Sequence, residues 1–589
     1  MGRATDLCRG VLAAIVLSPL TVAGSEPQAL RPVYFKVCDT FDAFAEFEGF
    51  RVDGIPFSAQ ASELFARCEV RAAFSQPRSL LDQWWREADE RLPEHLERPG
   101  RLANWFEARI PGASSSLVHD RLAVELSRLF FVDEAFVMPE VVTPEFRAAE
   151  PRAVGLRGEQ DPANDSSTKE DEATPNFRGM QSWFDPAPVG FGLEPLGALD
   201  GVRGDKVRVF HIEADWDVEH EDLQSIGEHS IVVPIPPGLE HARNHGTGVL
   251  GILFATDNGI GITGIADQAE GKLLCTESMQ GTHNALVATI QYGAPGDVVV
   301  LIGQVNVGLQ HAIDFVPVEF FRINFDAILT VTTQGFHVVE AAGNGENDLD
   351  DERFHGLFDR AARDSGAILV TGSEGAALEP AWIANYGSRC DITGYGNDAV
   401  TTGYGGLFRT GDPRRAYEHR YSGTSAATAM MGGVAASVLG AHRTQGLEEP
   451  SPAELRDLLR VGGTRIRGGL PPRPNLEAIL RSKGLPRGLS TSSQHVRGSL
   501  SLEFPGFEGR PGFVLAGTAS LAPTGMGGLL LDPDRMWPAF SLSALPTSYE
   551  MAVPRHPSLL GHDFFAQVFS RESGGGFEFS STIEISVKF

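Results

Sequence analysis

Cysteine is scarce in this chain, with 5 in 589 residues, which excludes a scaffold held together by a dense disulfide framework. Basic residues are outnumbered: 49 Lys and Arg stand against 77 Asp and Glu, a formal charge of -28. Such a surface repels nucleic acid and anionic lipid and argues against a role built on either. Past the N-terminus, no segment offers the about 20 uninterrupted apolar residues of a membrane-spanning helix. The N-terminus itself, MGRATDLCRGVLAAIVLSPLTVAG, sets Arg3 and Arg9 before an apolar run that ends in small residues. This is the layout of a secretory signal peptide cleaved near Ala23 or Gly24, and it predicts a soluble mature protein secreted to the extracellular space or the periplasm. Cys8 leaves with the signal. Cys38, Cys68, Cys275 and Cys390 remain, and an oxidising compartment permits the pairs 38–68 and 275–390; the alternative is four buried, unpaired thiols.

The length suggests two to four domains, each able to bury a core. Residues 25–150 mix helical patterning (SLLDQWWREADERL, HDRLAVELSRLF) with short apolar strands such as FVDEAFVMP, an α+β region. Residues 151–180 contain the acidic stretch GEQDPANDSSTKEDEATPN, nearly free of large apolar side chains, and read as a linker open to proteolysis. Between 181 and 482 the runs VRVF, DVVVLIG, HVVEAAGN and AILVTGS alternate with helical segments. Short buried runs of this kind predict an α/β domain with a parallel sheet covered by helices on both faces. Residues 483–589 turn strand-like, with SLSLEFPGF, GFVLAGTASL and FEFSSTIEISVKF between Gly/Pro turns, an all-β domain.

Three short segments carry potential chemistry. In YSGTSAATAMMGGVAASVLGAH, Ser425 stands where a loop enters a tightly packed helix. Unsatisfied N–H groups there would stabilise an oxyanion formed beside the hydroxyl; the plain alternative is a helix cap. A serine needs a base, and NHGTGVLG supplies His245 before Gly-Thr-Gly. His241 lies four residues earlier, but the glutamate that a zinc peptidase places between its histidines is missing. HVVEAAGNGENDLDD ends an apolar strand at Asn344, a side-chain amide able to serve an oxyanion or simply a turn. A fourth stretch, VRVFHIEADWDVEHEDL, carries an acid at every second position from Glu213 to Glu221, and adds Asp222. A continuous strand would stack these like charges on one face, so the strand is expected to stop early and leave most of them solvated.

Taken in order, HGTGVLG around His245, EAAGNG around Asn344 and SGTSAATA around Ser425 resemble the subtilisin-like serine peptidases, the subtilases, over residues 181–482. The resemblance implies a subtilisin-like fold and an acyl-enzyme mechanism. Ser425 is the implied nucleophile, His245 the general base and then acid, and Asn344 with the Ser425 amide the oxyanion hole. Two departures stand out. Ala429 occupies the place of a usual proline, and no Asp-Thr-Gly or Asp-Ser-Gly follows the first strand. Counting back from His220 in HEDL sets Glu213 at the expected acid position, with Asp215, Asp217 or no acid as alternatives; either carboxylate type orients imidazole in serine hydrolases. His211 and His220 are expected to be structural.

The resemblance further implies that LAVELSRLFFVDEAFVMPEVVTPE ends a propeptide-like region acting as an intramolecular inhibitor, with a permanent accessory domain as the alternative. No cofactor is required for the chemistry. Structural calcium is common in the resembling family, and ENDLDD offers oxygen ligands. The expected partner is a protein or peptide substrate, with DVVVLIGQ and AAGN as walls of its first pocket and a weak preference for basic sequences from the acidic surface. VPRHPSLLGHDFFAQVFSRE resembles a β-rich module at the ends of some secreted bacterial proteins, without an implied ligand. The reading is a secreted serine endopeptidase; its alternative is a catalytically silent subtilase fold used for binding.

Overall fold

The computed structural model describes residues 31–142 and 173–483, except 47–48, 93–97, 114, 140, 198, 308–314 and 467–468, and the backbone of seven strands between 498 and 586. The expected signal peptide and most of the acidic linker lie outside the described residues. The chain divides into two compact units, Met1–Pro486 and Arg487–Phe589.

In the first unit, residues 33–137 build an antiparallel sheet of β1 Val33–Val37, β2 Glu69–Ala72, β3 Trp105–Arg109 and β4 Val132–Val137, in the order β2-β3-β1-β4. The helices α1 Arg78–Arg91 and α2 Ser116–Ser127 accompany it. Strand alternation divides its side chains. Val33, Phe35 and Val37 join Phe106, Leu122 and Leu126 in a core of the module's own. Tyr34, Trp105 and Phe136 instead enter a core shared with the following domain.

That domain is built on a six-stranded parallel sheet of β5 Arg208–Glu213, β6 Glu270–Cys275, β7 Val298–Leu301, β8 His337–Ala341, β9 Ile368–Ser373 and β10 Ile392–Tyr395, ordered β10-β9-β8-β7-β5-β6. Apolar runs on successive strands make this possible, because both faces are covered. Val209, Val298, Val300 and Val339 pack toward α3 Glu240–Phe254 and α6 Thr424–Gln445. Phe210, Ile212, Val299 and Leu301 pack toward α4 Thr282–Tyr292 and α5 Arg322–Thr333. Helix α6 is long and apolar enough to cross a membrane but is buried inside the domain from Thr424 to His442.

The N-terminal module rests on α5 through a buried carboxylate. Asp326 accepts from Gly100 N (2.8 Å), Trp105 Nε1 (3.0 Å) and Arg322 Nε (2.8 Å). The module is therefore continuous with the α/β core rather than set off from it. At the end of the expected linker, Phe177 N bonds Gly261 O (2.6 Å) and its ring packs on Tyr417.

The four cysteines outside the expected signal, Cys38, Cys68, Cys275 and Cys390, are thiols and form no disulfide. Cys275 donates to Ala214 O (3.1 Å) and Cys68 to Leu64 O (3.2 Å), and burial pushes the Cys68 thiol up to about 11. The second unit has antiparallel strands in its described backbone. Gly498–Glu503 pairs with Ser548–Val553. Gly512–Gly517 lies between Met536–Leu542 and Asp563–Arg571.

Candidate functional site

The site forms where β5 ends. Val209, His211 and Glu213 alternate onto the face covered by α3 and α6, and the strand stops at Glu213. Glu213 is buried, and its Oε1 accepts from Ala214 N (2.9 Å). Its Oε2 lies 2.7 Å from His245 Nδ1, on α3. An ionised carboxylate only accepts, so Nδ1 is the donor and the neutral ring keeps Nε2 as an acceptor. Nε2 faces Ser425 Oγ at 3.1 Å. Ser425 is the second residue of α6, where main-chain N–H groups have no partner within the helix.

The turn after Glu213 locks this geometry. Gly246 follows the histidine on α3, and a Cβ there would collide with Asp215 O and come within 2.8 Å of Trp216 Cδ1 and 3.0 Å of Glu213 Cγ. The Gly-Thr-Gly after His245 thus permits helix and turn to touch. Thr247 Oγ1 accepts from Asp217 N (2.9 Å) while donating to Arg243 O (2.7 Å). Trp216 Nε1 donates to His211 Nδ1 (2.9 Å), and burial, with the nearby His245, holds His211 down to about 3. Tyr421 stacks at a tilt against His245 and donates to its carbonyl (3.2 Å).

The remaining acids of VRVFHIEADWDVEHEDL point elsewhere. Asp215 accepts from Trp216 N (2.8 Å) and pairs with Arg243 Nε (2.9 Å) rather than with the imidazole. Asp217 and Glu219 leave the strand altogether. Asp222 is buried, accepting from Asn258 Nδ2 (3.0 Å) and Ile262 N (2.8 Å), and desolvation pushes its carboxyl up to about 7. His220 bonds Ala416 O (2.9 Å) and Asp222 N (3.2 Å), a structural position.

Asn344 sits beyond the end of β8. Its Oδ1 accepts from Thr424 N (2.8 Å) and Thr424 Oγ1 (3.0 Å), and its N–H donates to Gln304 Oε1 (2.8 Å). The buried Nδ2 has no hydrogen-bond partner, so a donor is held ready beside the entrance of α6. Gly423, at φ 86, brings the chain against this amide in a backbone region few other residues adopt. Thr424 and Gln304 are supporting residues that sequence reasoning passed over. Thr424 was legible as part of the motif, whereas nothing local marks Gln304. Ala429, in the usual place of proline, is a buried member of the continuous helix α6.

The acidic stretch suggested for calcium does not converge on a common point. Asp348 accepts from Asp350 N, Asp350 from Ser388 N and Oγ, and Asp351 from Arg353 N. Among the described residues no cluster of three or more His, Cys, Asp or Glu is arranged to hold a metal ion.

The subtilase family pattern matches residues 220–461, a span that includes His245, Asn344 and Ser425 and begins after Glu213. Subtilisin NAT of Bacillus subtilis subsp. natto is 25% identical over 282 residues, 47% of this chain and 67% of its own length. The major intracellular serine protease of Bacillus subtilis (strain 168) is 27% identical over 214 residues, 34% of this chain and 61% of its own. Among solved structures, a serine protease of Aeromonas sobria is 15% identical, covering 73% of this chain and 96% of that one, with a TM-score of 0.39. The sequence matches define a hydrolase of the serine-peptidase class. Residues 220–461 match the subtilase family, and the similarity holds for that domain.

Proposed function

We propose that the chain is a secreted serine endopeptidase working through an acyl-enzyme, with Glu213, His245 and Ser425 as its triad. The observation that carries this reading is the unbroken series of contacts from Glu213 Oε2 to His245 Nδ1 (2.7 Å) and from His245 Nε2 to Ser425 Oγ (3.1 Å). Ser425 Oγ attacks the peptide carbonyl as Nε2 takes its proton. Glu213 holds the ring in the required tautomer and stabilises the imidazolium. The tetrahedral oxyanion is met by Asn344 Nδ2 and the Ser425 N–H, both already oriented. His245 then returns the proton to the leaving amine, the acyl-enzyme forms, and water activated by the same imidazole hydrolyses it. Export rests on the N-terminal sequence.

The N-terminal region is proposed as an intramolecular inhibitor. Val141–Val142 pairs antiparallel with Gln304–Val305, the strand whose Gln304 supports Asn344, and Ser425 is fully buried. A peptide substrate adding a strand at this edge would compete with the chain's own residues. The test is labelling of the purified protein by a fluorophosphonate before and after removal of residues 25–142, compared with Ser425→Ala. Labelling that requires Ser425 and rises on removal is expected. Labelling that persists in Ser425→Ala refutes the nucleophile, and equal labelling of both forms refutes the inhibitory role.

A further inference from the structure

His211 lies two residues before Glu213 on β5 and is fully buried. Its neighbours across the parallel ladder are Val300 on β7 and Leu273 on β6, so an apolar side chain would continue that face. A histidine there costs stability, because its Nε2 is buried without a hydrogen-bond partner among the described residues. The other ring nitrogen is engaged. Trp216 Nε1 donates to Nδ1 at 2.9 Å, with the two rings edge to face at 69° and 5.7 Å between centroids. An indole N–H only donates, so Nδ1 is the acceptor and the neutral imidazole keeps its proton on Nε2. An apolar residue in place of His211 would leave the buried indole N–H of Trp216 unpaired instead.

That indole belongs to the turn that carries the triad acid. Trp216 N donates to Asp215 Oδ1 (2.8 Å), and its Cδ1 lies against Gly246, the residue after His245. The turn is fastened to α3 by Asp215 with Arg243 Nε (2.9 Å) and by Asp217 N with Thr247 Oγ1 (2.9 Å). His211 fastens the same turn to the sheet. A glutamate has one more rotatable bond than an aspartate, so its carboxylate is placed more by its surroundings than by its own backbone. Here Oε1 is held by Ala214 N inside the turn (2.9 Å) while Oε2 meets His245 Nδ1 (2.7 Å), and a shift of the turn carries the carboxylate off the imidazole. The His211 ring adds no like charge beside an imidazolium on His245, since burial, with the nearby His245, holds it down to about 3. We propose that His211 is a positioning residue of the triad: through its bond to Trp216 it sets the 213–216 turn and so holds the Glu213 carboxylate on His245 Nδ1. The inference rests on the serine-peptidase reading above and adds to that site a residue that acts without touching substrate.

The test compares the full chain with His211→Leu, His211→Asn, Trp216→Phe and the double variant His211→Leu with Trp216→Phe. Asparagine restores an oxygen acceptor close to the place of Nδ1, whereas leucine has none. Folding is verified by thermal melting, and the rate constant for fluorophosphonate labelling is measured with probe in excess. The proton between His245 Nδ1 and Glu213 is followed by NMR in protein carrying isotope-labelled histidine. His211→Leu and Trp216→Phe should each slow labelling by about 10- to 100-fold and broaden or abolish that proton signal. The double variant should label within about threefold of the slower single variant, since both remove one interaction. His211→Asn should recover labelling to within about threefold of the parent and keep the signal, even with a lower melting point. Parental labelling by folded His211→Leu or Trp216→Phe, losses that multiply in the double variant, or His211→Asn as slow as His211→Leu overturns the proposal. Should His211→Leu not fold, Trp216→Phe and His211→Asn decide on the same two readouts. A parent that does not label overturns the peptidase reading, and the NMR signal, which needs no activity, still decides whether His211 holds Glu213 in place.

Discussion

Exchange of Glu213 for glutamine removes the charge of the triad acid and keeps its volume. The carboxylate is fully buried and accepts from both Ala214 N and His245 Nδ1. An amide has one oxygen to offer these two donors. If the oxygen faces His245, the NH₂ group lies against the Ala214 N–H. If it faces Ala214, the NH₂ group meets Nδ1, the ring proton moves to Nε2, and the base facing Ser425 is lost. The second arrangement pairs every group except the one that catalysis needs. A comparable exchange of the acid in another serine protease lowers turnover about 10⁴-fold by the same tautomer error. The expected outcome here is a fall of about 10³- to 10⁴-fold in the rate constant for fluorophosphonate labelling, measured with probe in excess and with folding verified by thermal melting. Asp215→Asn should stay within about threefold of the parent, since its partner Arg243 is partly exposed and the pair is screened by water. A Glu213→Gln rate within about tenfold of the parent, or a larger loss in Asp215→Asn, refutes the assignment.

Three further perturbations test neighbouring parts of the argument. Asn344→Ala should lower kcat by about 10²- to 10³-fold with little change in KM, because Nδ2 would act on the oxyanion rather than on bound substrate; an effect confined to KM would exclude that role. Gly246→Ala should destabilise by about 1–3 kcal/mol through overpacking against the 213–216 turn, read as a lower unfolding midpoint together with slower labelling, and an unchanged melt would contradict the packing described. His337 is buried with both ring nitrogens unpartnered, and desolvation holds it down to about 3. The unfolded imidazole gains its proton below about pH 6.5 and the folded one does not. This residue's contribution is therefore present above that pH and declines as pH falls toward 3. His337→Phe should gain about 3 kcal/mol relative to the parent between pH 7 and pH 4; a pH-independent difference between the two melts would refute it.

Much of the catalytic domain was legible because its signals are local. A serine at the mouth of a small-residue helix, a histidine followed by Gly-Thr-Gly and an apolar strand ending in Ala-Ala-Gly-Asn each report nearby backbone. Their alternation with apolar runs implies a parallel sheet covered on both faces. The choice among Glu213, Asp215 and Asp217 was not legible in the same way. Spacing along a chain does not say where a strand ends or which face meets the helix carrying His245. Those depend on packing of β5 between its neighbours, which puts Glu213 against the imidazole and turns Asp215 to Arg243. The cysteines and the N-terminal module teach the same lesson. An even cysteine count permits bridges, but only the folded positions leave Cys38, Cys68, Cys275 and Cys390 as thiols. Helical and strand patterns foretold the module's elements, while its union with the α/β core needed Trp105, Gly100 and Asp326, distant in sequence, to meet on α5. The sequence alone determined the elements and the chemical groups available; the tertiary structure decided which of those groups face one another, because contact between residues far apart is set by packing and not by spacing.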